Sequence, residues 1–174
     1  GCSLTLATIP KDTKYVLVEI GTNCLGEIEE LSQLVKPDHI IITDVSIGHI
    51  EGLKSLDNIV NEKASICSGQ KKKGIAIIPR GIEKFSQLKT KVQGFGSHLI
   101  SFGEEKCSDV RITNIEVSSN AITSRILDQK RNIWKLKLKT AGKHYIKNAA
   151  ALLTLVSSLK LSPAVAISAL EKWT

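Results

Sequence analysis

The chain has 174 residues, 42% hydrophobic and 24% charged, with a formal net charge of +7. That length suffices for one domain with a real core, and the balance is that of a globular protein, not a disordered or fibrous one. No apolar run approaches the ~20 residues that span a bilayer, no secretory signal opens the chain, and with aromatic residues at 4% platforms for stacking nucleic-acid bases are scarce.

"YVLVEIG" (15–21) is a short, nearly continuous apolar run, the pattern of a strand buried on both faces. "GEIEELSQLVKP" follows as a helix with Ile28, Leu31 and Val35 on one side and Pro37 as its stop. "HIIITDV" (39–45) predicts a second buried strand. The next helix carries Leu56, Ile59, Val60 and Cys67 at helical spacing. "GIAIIP" (74–79) predicts a third strand, "IEKFSQLKTKV" (82–92) a helix with Ile82, Phe85, Leu88 and Val92 inward, and "HLISFG" (98–103) a fourth strand. Strands alternating with helices imply βαβ units and a mostly parallel sheet.

Beyond residue 109 the pattern changes. Turns are expected near Asn120 and around Asp128 to Asn132. Trp134, Leu136 and Leu138 alternate with Lys135, Lys137 and Lys139, as in a half-exposed antiparallel strand. From "HYIKNAAALLTLVSSLK" the chain is helical again, and Ser162-Pro163 opens a last helix. The reading is an α/β fold: a mostly parallel sheet flanked by helices over 1–103, a small antiparallel β appendage over 110–139, and C-terminal helices over 144–172. The four cysteines, Cys2, Cys24, Cys67 and Cys107, form no C-x-x-C pair. Three lie in apolar or helical stretches and read as reduced, buried thiols of a cytosolic protein. "KKK" at 71–73 reads as a solvated turn, and the charge as mild attraction for anionic small molecules. The absence of methionine leads us to expect a piece of a longer protein.

Three ionisable residues fall where chemistry is expected in such a fold, beyond the carboxyl ends of the strands. Glu19 interrupts the first apolar run; it reads as a rim carboxylate, paired or solvated, or as a ligand. His49 lies in a loop between Gly48 and Gly52, as a surface or capping residue or as a ligand. Lys63 falls on the apolar stripe of its helix, seven residues after Leu56 and four after Ile59. Either its stem snorkels along the core, or its ammonium is paired or chemically changed, because a lone buried charge is costly. Together a carboxylate and an imidazole suit magnesium beside phosphates, and a lysine beside that ion would repel it unless it were neutral or converted to an anion.

"YVLVEIGTNCLGEIEEL", "HIIITDVSIGHIEGLKSLDNIVNEKASI" and "GKHYIKNAAALLTLVSSLKLSPAVAISAL" resemble, in order and spacing, the central ATPase domain of the Mur ligases, over essentially the whole chain. The resemblance implies a P-loop NTPase-like fold and an ATP-dependent carbon–nitrogen ligase of peptidoglycan precursor synthesis, cytoplasmic and monomeric, with no nucleic acid partner and no membrane insertion. "G-E-I" and "H-I-E-G-x-x-S-L" favour the member that adds D-alanyl-D-alanine to UDP-N-acetylmuramoyl-tripeptide. The implied reaction activates the peptide carboxylate as an acyl phosphate, which the incoming amine then displaces to form an amide. Glu19 and His49 match magnesium ligands, and Lys63 matches a lysine that is carbamylated and helps hold magnesium. Asn148, with His144 in the same block, matches an ATP-contacting position, and Asn23 lies where the family loop approaches the UDP-sugar peptide.

The likeness has gaps. The phosphate loop G-x-x-G-K-[ST] is absent; "GQKKKG" at 69–74 lies between helix and strand, in the wrong order for a phosphate cradle. Tyr145, Thr43-Asp44 and "IIPRGI" (77–82) depart from the family pattern near the nucleotide. We therefore expect the N- and C-terminal domains to lie outside this chain, and the chain alone to have no ligase activity. Two alternatives stay open: a Mur or polyglutamate-type ligase with another acceptor, and a non-catalytic Mur-like binding module.

Overall fold

A computed structural model describes residues 2–46, 53–71, 74–140 and 142–173. A short helix α1 (Cys2–Ala7) opens the chain. After it come α2 (Glu27–Val35), β1 (His39–Ile41), α3 (Leu56–Ala64) and a single 3-10 turn (Ser65–Cys67). β2 (Ile75–Pro79), α4 (Phe85–Gly94), β3 (His98–Gly103) and β4 (Val110–Val117) follow, then β5 (Ile122–Leu127), β6 (Ile133–Leu138), α5 (Lys143–Ser158) and α6 (Pro163–Lys172).

The strands form one six-stranded sheet in chain order, β1 to β6. β1–β2, β2–β3 and β3–β4 pair in parallel, and β4–β5 and β5–β6 antiparallel. The antiparallel part is thus continuous with the parallel part, joined through Phe102 opposite Val110. A bulge between Thr113 and Glu116 interrupts β4, where Asn114 takes a left-handed φ of 52°, a conformation that asparagine tolerates better than most residues.

Alternation along β2 splits the core in two. Ala76 and Ile78 face α3 and α4 with Ile59, Val60, Leu88 and Val92. Ile77 faces the opposite side, with Ile112, Ile126, Leu138, Ile146 and Leu153 under α5. A strand covered on both faces needs apolar residues at every position, which is why 74–79 shows no alternation of polarity. On β6 the predicted alternation holds: Leu136 and Leu138 are buried, while Lys135 and Lys137 are exposed.

One predicted strand is absent. Residues 15–21 form no strand, and no backbone hydrogen bond ties them to another described strand. Tyr15, Val16 and Leu17 are 69%, 46% and 91% exposed. β1 is the sheet's edge and only three residues long, so this apolar run has no layer to cover its outer side. The expected strand over 39–45 is likewise shortened, although Ile42 still donates to the Ile77 carbonyl at 2.9 Å. Of the cysteines, Cys2 and Cys67 are buried, Cys24 and Cys107 are exposed, and all are free. Among the described residues no helix is long and apolar enough to cross a membrane.

Candidate active site

A cleft of about 350 Å³ opens at the carboxyl end of β1. It is lined by the 19–23 segment, by Ile41, Ile42 and Thr43 from the end of β1, and by Leu53, Lys63 and Ile66 among others. Glu19, Asn23 and Lys63, three of the residues predicted from sequence, therefore line one cleft. His49 lies outside the described residues. His144 and Asn148 do not line it: both are exposed near the start of α5, where the His144 ring lies 4.0 Å from that of Tyr145. A second cavity of about 200 Å³, lined by Asp128, Lys130, Trp134 and Lys160 among others, contains none of the predicted residues.

Local rules place each wall. α3 begins at Ser55, whose hydroxyl accepts from the Asn58 N–H at 3.1 Å, and this cap fixes where the helical spacing starts. The turn before α2 is held by two carboxylates. Glu27 Oε2 accepts from the Asn23 and Cys24 N–H groups at 2.9 and 3.1 Å and from the Thr22 hydroxyl at 3.0 Å. These bonds hold its carboxyl below the ordinary value of 4.5, the Asn23 N–H contributing most.

Glu62, on α3, reaches the N-terminus of α2. Its Oε2 accepts from the Gly26 N–H at 2.7 Å and its Oε1 from the Ile28 N–H at 2.9 Å. Glu62 is only 4% exposed. Gly26, the N-cap, sits at φ 93° and carries no side chain to cap the helix, so Glu62 supplies the acceptors that the N-cap lacks. The anion-attracting end of α2 is thereby filled from within the protein. Sequence reading passed over Glu62; its signal is a carboxylate three residues after the core residue Ile59.

Lys63 is half-buried, and among the described residues no hydrogen bond or ion pair reaches its ammonium. Burial pulls its pKa below the ordinary 10.5, and the charge of Asp44 partly opposes the shift. This raises the neutral fraction of the amine, the form that attacks carbon dioxide. Asp44, beyond the end of β1, was noted from sequence only as a departure from the family pattern; its charge acts on Lys63. Among the described residues no three of histidine, cysteine, aspartate and glutamate group as a metal site. The expected set draws instead on one glutamate, a modified lysine and the undescribed His49.

Residues of "IIPRGI" and "GQKKKG" have structural roles. Arg80 stacks on Phe85, its guanidinium carbon 4.0 Å from the ring centre. Burial pushes Asp109 up, but hydrogen bonds from the Ser101 hydroxyl and N–H and from Gln129, with the charge of Arg80, hold it below its usual 3.8. In "GQKKKG", Gly69 packs so closely that a Cβ would lie 2.0 Å from the Ser32 carbonyl oxygen. Lys71 pairs with Asp38 at 2.8 Å. Those roles are packing and solvation, while Lys72 and Lys73 lie outside the described residues.

Comparison with known proteins gives a consistent pattern. The family model described as Mur ligase middle domain matches residues 1–156. The UDP-N-acetylmuramoyl-tripeptide--D-alanyl-D-alanine ligase of Buchnera aphidicola subsp. Baizongia pistaciae is 30% identical over 161 residues, 92% of this chain and 34% of that protein. The crystal structure of MurF from Acinetobacter baumannii superposes with a TM-score of 0.91 at 24% identity, over 99% of this chain and 37% of that one. MurF ligase from Thermotoga maritima in complex with ADP gives 0.73 at 19% identity, over 87% and 34%. At these identities the two structures establish the fold, and the chain spans about a third of the length of the curated relatives it matches.

Proposed function

Since this chain belongs to the Mur ligase family, we propose that it is the central part of an ATP-dependent ligase joining D-alanyl-D-alanine to UDP-N-acetylmuramoyl-tripeptide. The observation that carries this reading is the shared cleft: Glu19 and Lys63 both line it, and among the described residues no hydrogen bond or ion pair reaches Lys63. The likeness to a D-alanyl-D-alanine ligase supports the choice of acceptor. The proposed enzyme is monomeric and cytoplasmic.

The chemistry assigned to this chain is largely positioning and charge control. The neutral Lys63 amine adds carbon dioxide to give a carbamate and one released proton, replacing a cation by an anion without a change of helix. Glu19, carbamylated Lys63 and His49 are the proposed magnesium ligands, a hard, oxygen-rich set apart from the imidazole. Bound there, magnesium would supply neutralisation of phosphate charge. Asn23 is proposed to orient the UDP-sugar peptide, and Asn148 with His144 to contact the nucleotide.

The test is ATP-dependent amide formation by the intact protein that contains this segment, with D-alanyl-D-alanine set against single amino acids. Amide formation with the dipeptide alone is the expected result. Turnover with a single amino acid instead would overturn the proposed acceptor, and no turnover with any amine would favour a non-catalytic module. The 174-residue chain by itself, which contains no G-x-x-G-K-[ST] segment, is expected to form no amide.

A further inference from the structure

Glu62 is spent in an unusual way. The first turn of α2 already holds Glu27, Glu29 and Glu30, so the positive end of its dipole is served without a fourth carboxylate. Glu62 adds a fixed link between two helices. Its two oxygens take two different backbone N–H groups, of Gly26 and Ile28, and Oε1 also lies 3.4 Å from the Thr22 hydroxyl. Only a carboxylate offers acceptors on both arms; glutamine would turn an NH₂ group towards one of those donors.

The link has a direction. Consecutive residues on a helix point about 100° apart, so with Glu62 fixed on α2, Lys63 is turned to the cleft. A second clasp lies just past the end of α3: the Ser32 hydroxyl of α2 donates to the Ile66 carbonyl in the 3-10 turn and accepts from the Gly69 N–H at 3.2 Å. Two clasps prevent the end of α3 from rolling over α2, and the first of them also anchors the turn that carries Asn23.

We propose that Glu62 is a positioning residue of the site: by bridging to α2 it fixes both the Thr22–Gly26 turn and the rotation of α3, and so sets Asn23 and Lys63 on the cleft. This rests on the reading of Lys63 as the residue that is carbamylated there, and it extends that reading to a residue that touches neither metal nor substrate.

The experiment compares wild type with Glu62→Gln and Glu62→Asp in the 174-residue chain. Amide hydrogen exchange at Gly26 and Ile28 is read beside the acylation rate of Lys63 by dilute acetic anhydride, with exposed Lys143 as internal reference. In Glu62→Gln, exchange at both amides should quicken, and the Lys63 to Lys143 ratio should change by at least about fivefold, the scale of one lost charge-assisted hydrogen bond. Glu62→Asp, which keeps two acceptors on a shorter arm, should fall between and serves if the glutamine variant does not fold. Quicker exchange with a ratio within about a factor of two of wild type would overturn the proposal, as would unchanged exchange. Uptake of ¹³C-bicarbonate by Lys63 is scored separately. A Lys63 that depends on Glu62 but takes up no carbon dioxide would defeat the carbamate reading and leave the positioning role standing.

Discussion

The two ends of the sheet are stabilised by opposite means. At the β4–β6 end, Ile112, Ile122, Ile126, Leu138 and Leu153 are each at most 2% exposed, and α5 and α6 pack apolar side chains over them. At the β1 end the strand is three residues long, the preceding segment is unpaired, and Leu17 is 91% exposed. Beside the buried Ile40, Ile42 and Leu53, order there also comes from Glu27, Glu62 and Ser32, each holding backbone groups. At the β4–β6 end one carboxylate, Asp109, ties β3 to the β5–β6 turn; at the end with the cleft, Glu27 and Glu62 both hold backbone N–H groups. In this chain the candidate site is built where side-chain hydrogen bonds to the backbone add to the burial of Ile28, Ile42 and Leu53.

The largest effect expected from this contrast is at the apolar end. Leu153→Ala, at 0% exposure, should cost about 2–5 kcal/mol in urea unfolding. Leu17→Ala should stay within about 0.5 kcal/mol. A comparable loss at Leu17 would mean that the 15–21 segment is packed, and the contrast would fail.

Acid should act at the opposite end. The Glu27 carboxyl is held below 4.5 by the N–H groups of Asn23 and Cys24 and by Thr22. A group whose folded value is depressed gives stability that is fully present above the unfolded value and is lost as pH falls through the folded one. The protection of the Asn23 and Cys24 amides, taken relative to their intrinsic exchange rates at each pH, should therefore fall only as pH drops below 4.5, while the amides of β5 stay protected. Loss of protection at both places together would show that the turn is not a separate carboxylate-held unit.

Much of the fold was legible because it follows from periodicity. The unbroken apolar run of β2, the alternation on β6, and Pro163 at the first turn of α6 each had one reading and took it. Residues 15–21 did not, because an apolar run specifies a wish for cover without specifying what provides it. β1 is the sheet's edge and forms no ladder with them. Within the site, Lys63 was visible as a cation on an apolar stripe. Glu62 was not, since its role depends on two backbone N–H groups 36 and 34 residues earlier in the chain, a relation that local pattern does not encode. Asp44 was legible only as a departure from the family pattern; that its charge bears on Lys63 depends on packing that local pattern does not encode.

The central claim is that Lys63 works as a carbamate on the cleft it shares with Glu19. ¹³C NMR of the chain with ¹³C-bicarbonate and magnesium at mildly alkaline pH tests it most directly. The account predicts a carbamate carbon signal in the wild type that is absent from Lys63→Arg and weakened in Glu19→Gln. A wild-type spectrum without that signal, or a signal that persists in Lys63→Arg, would contradict it.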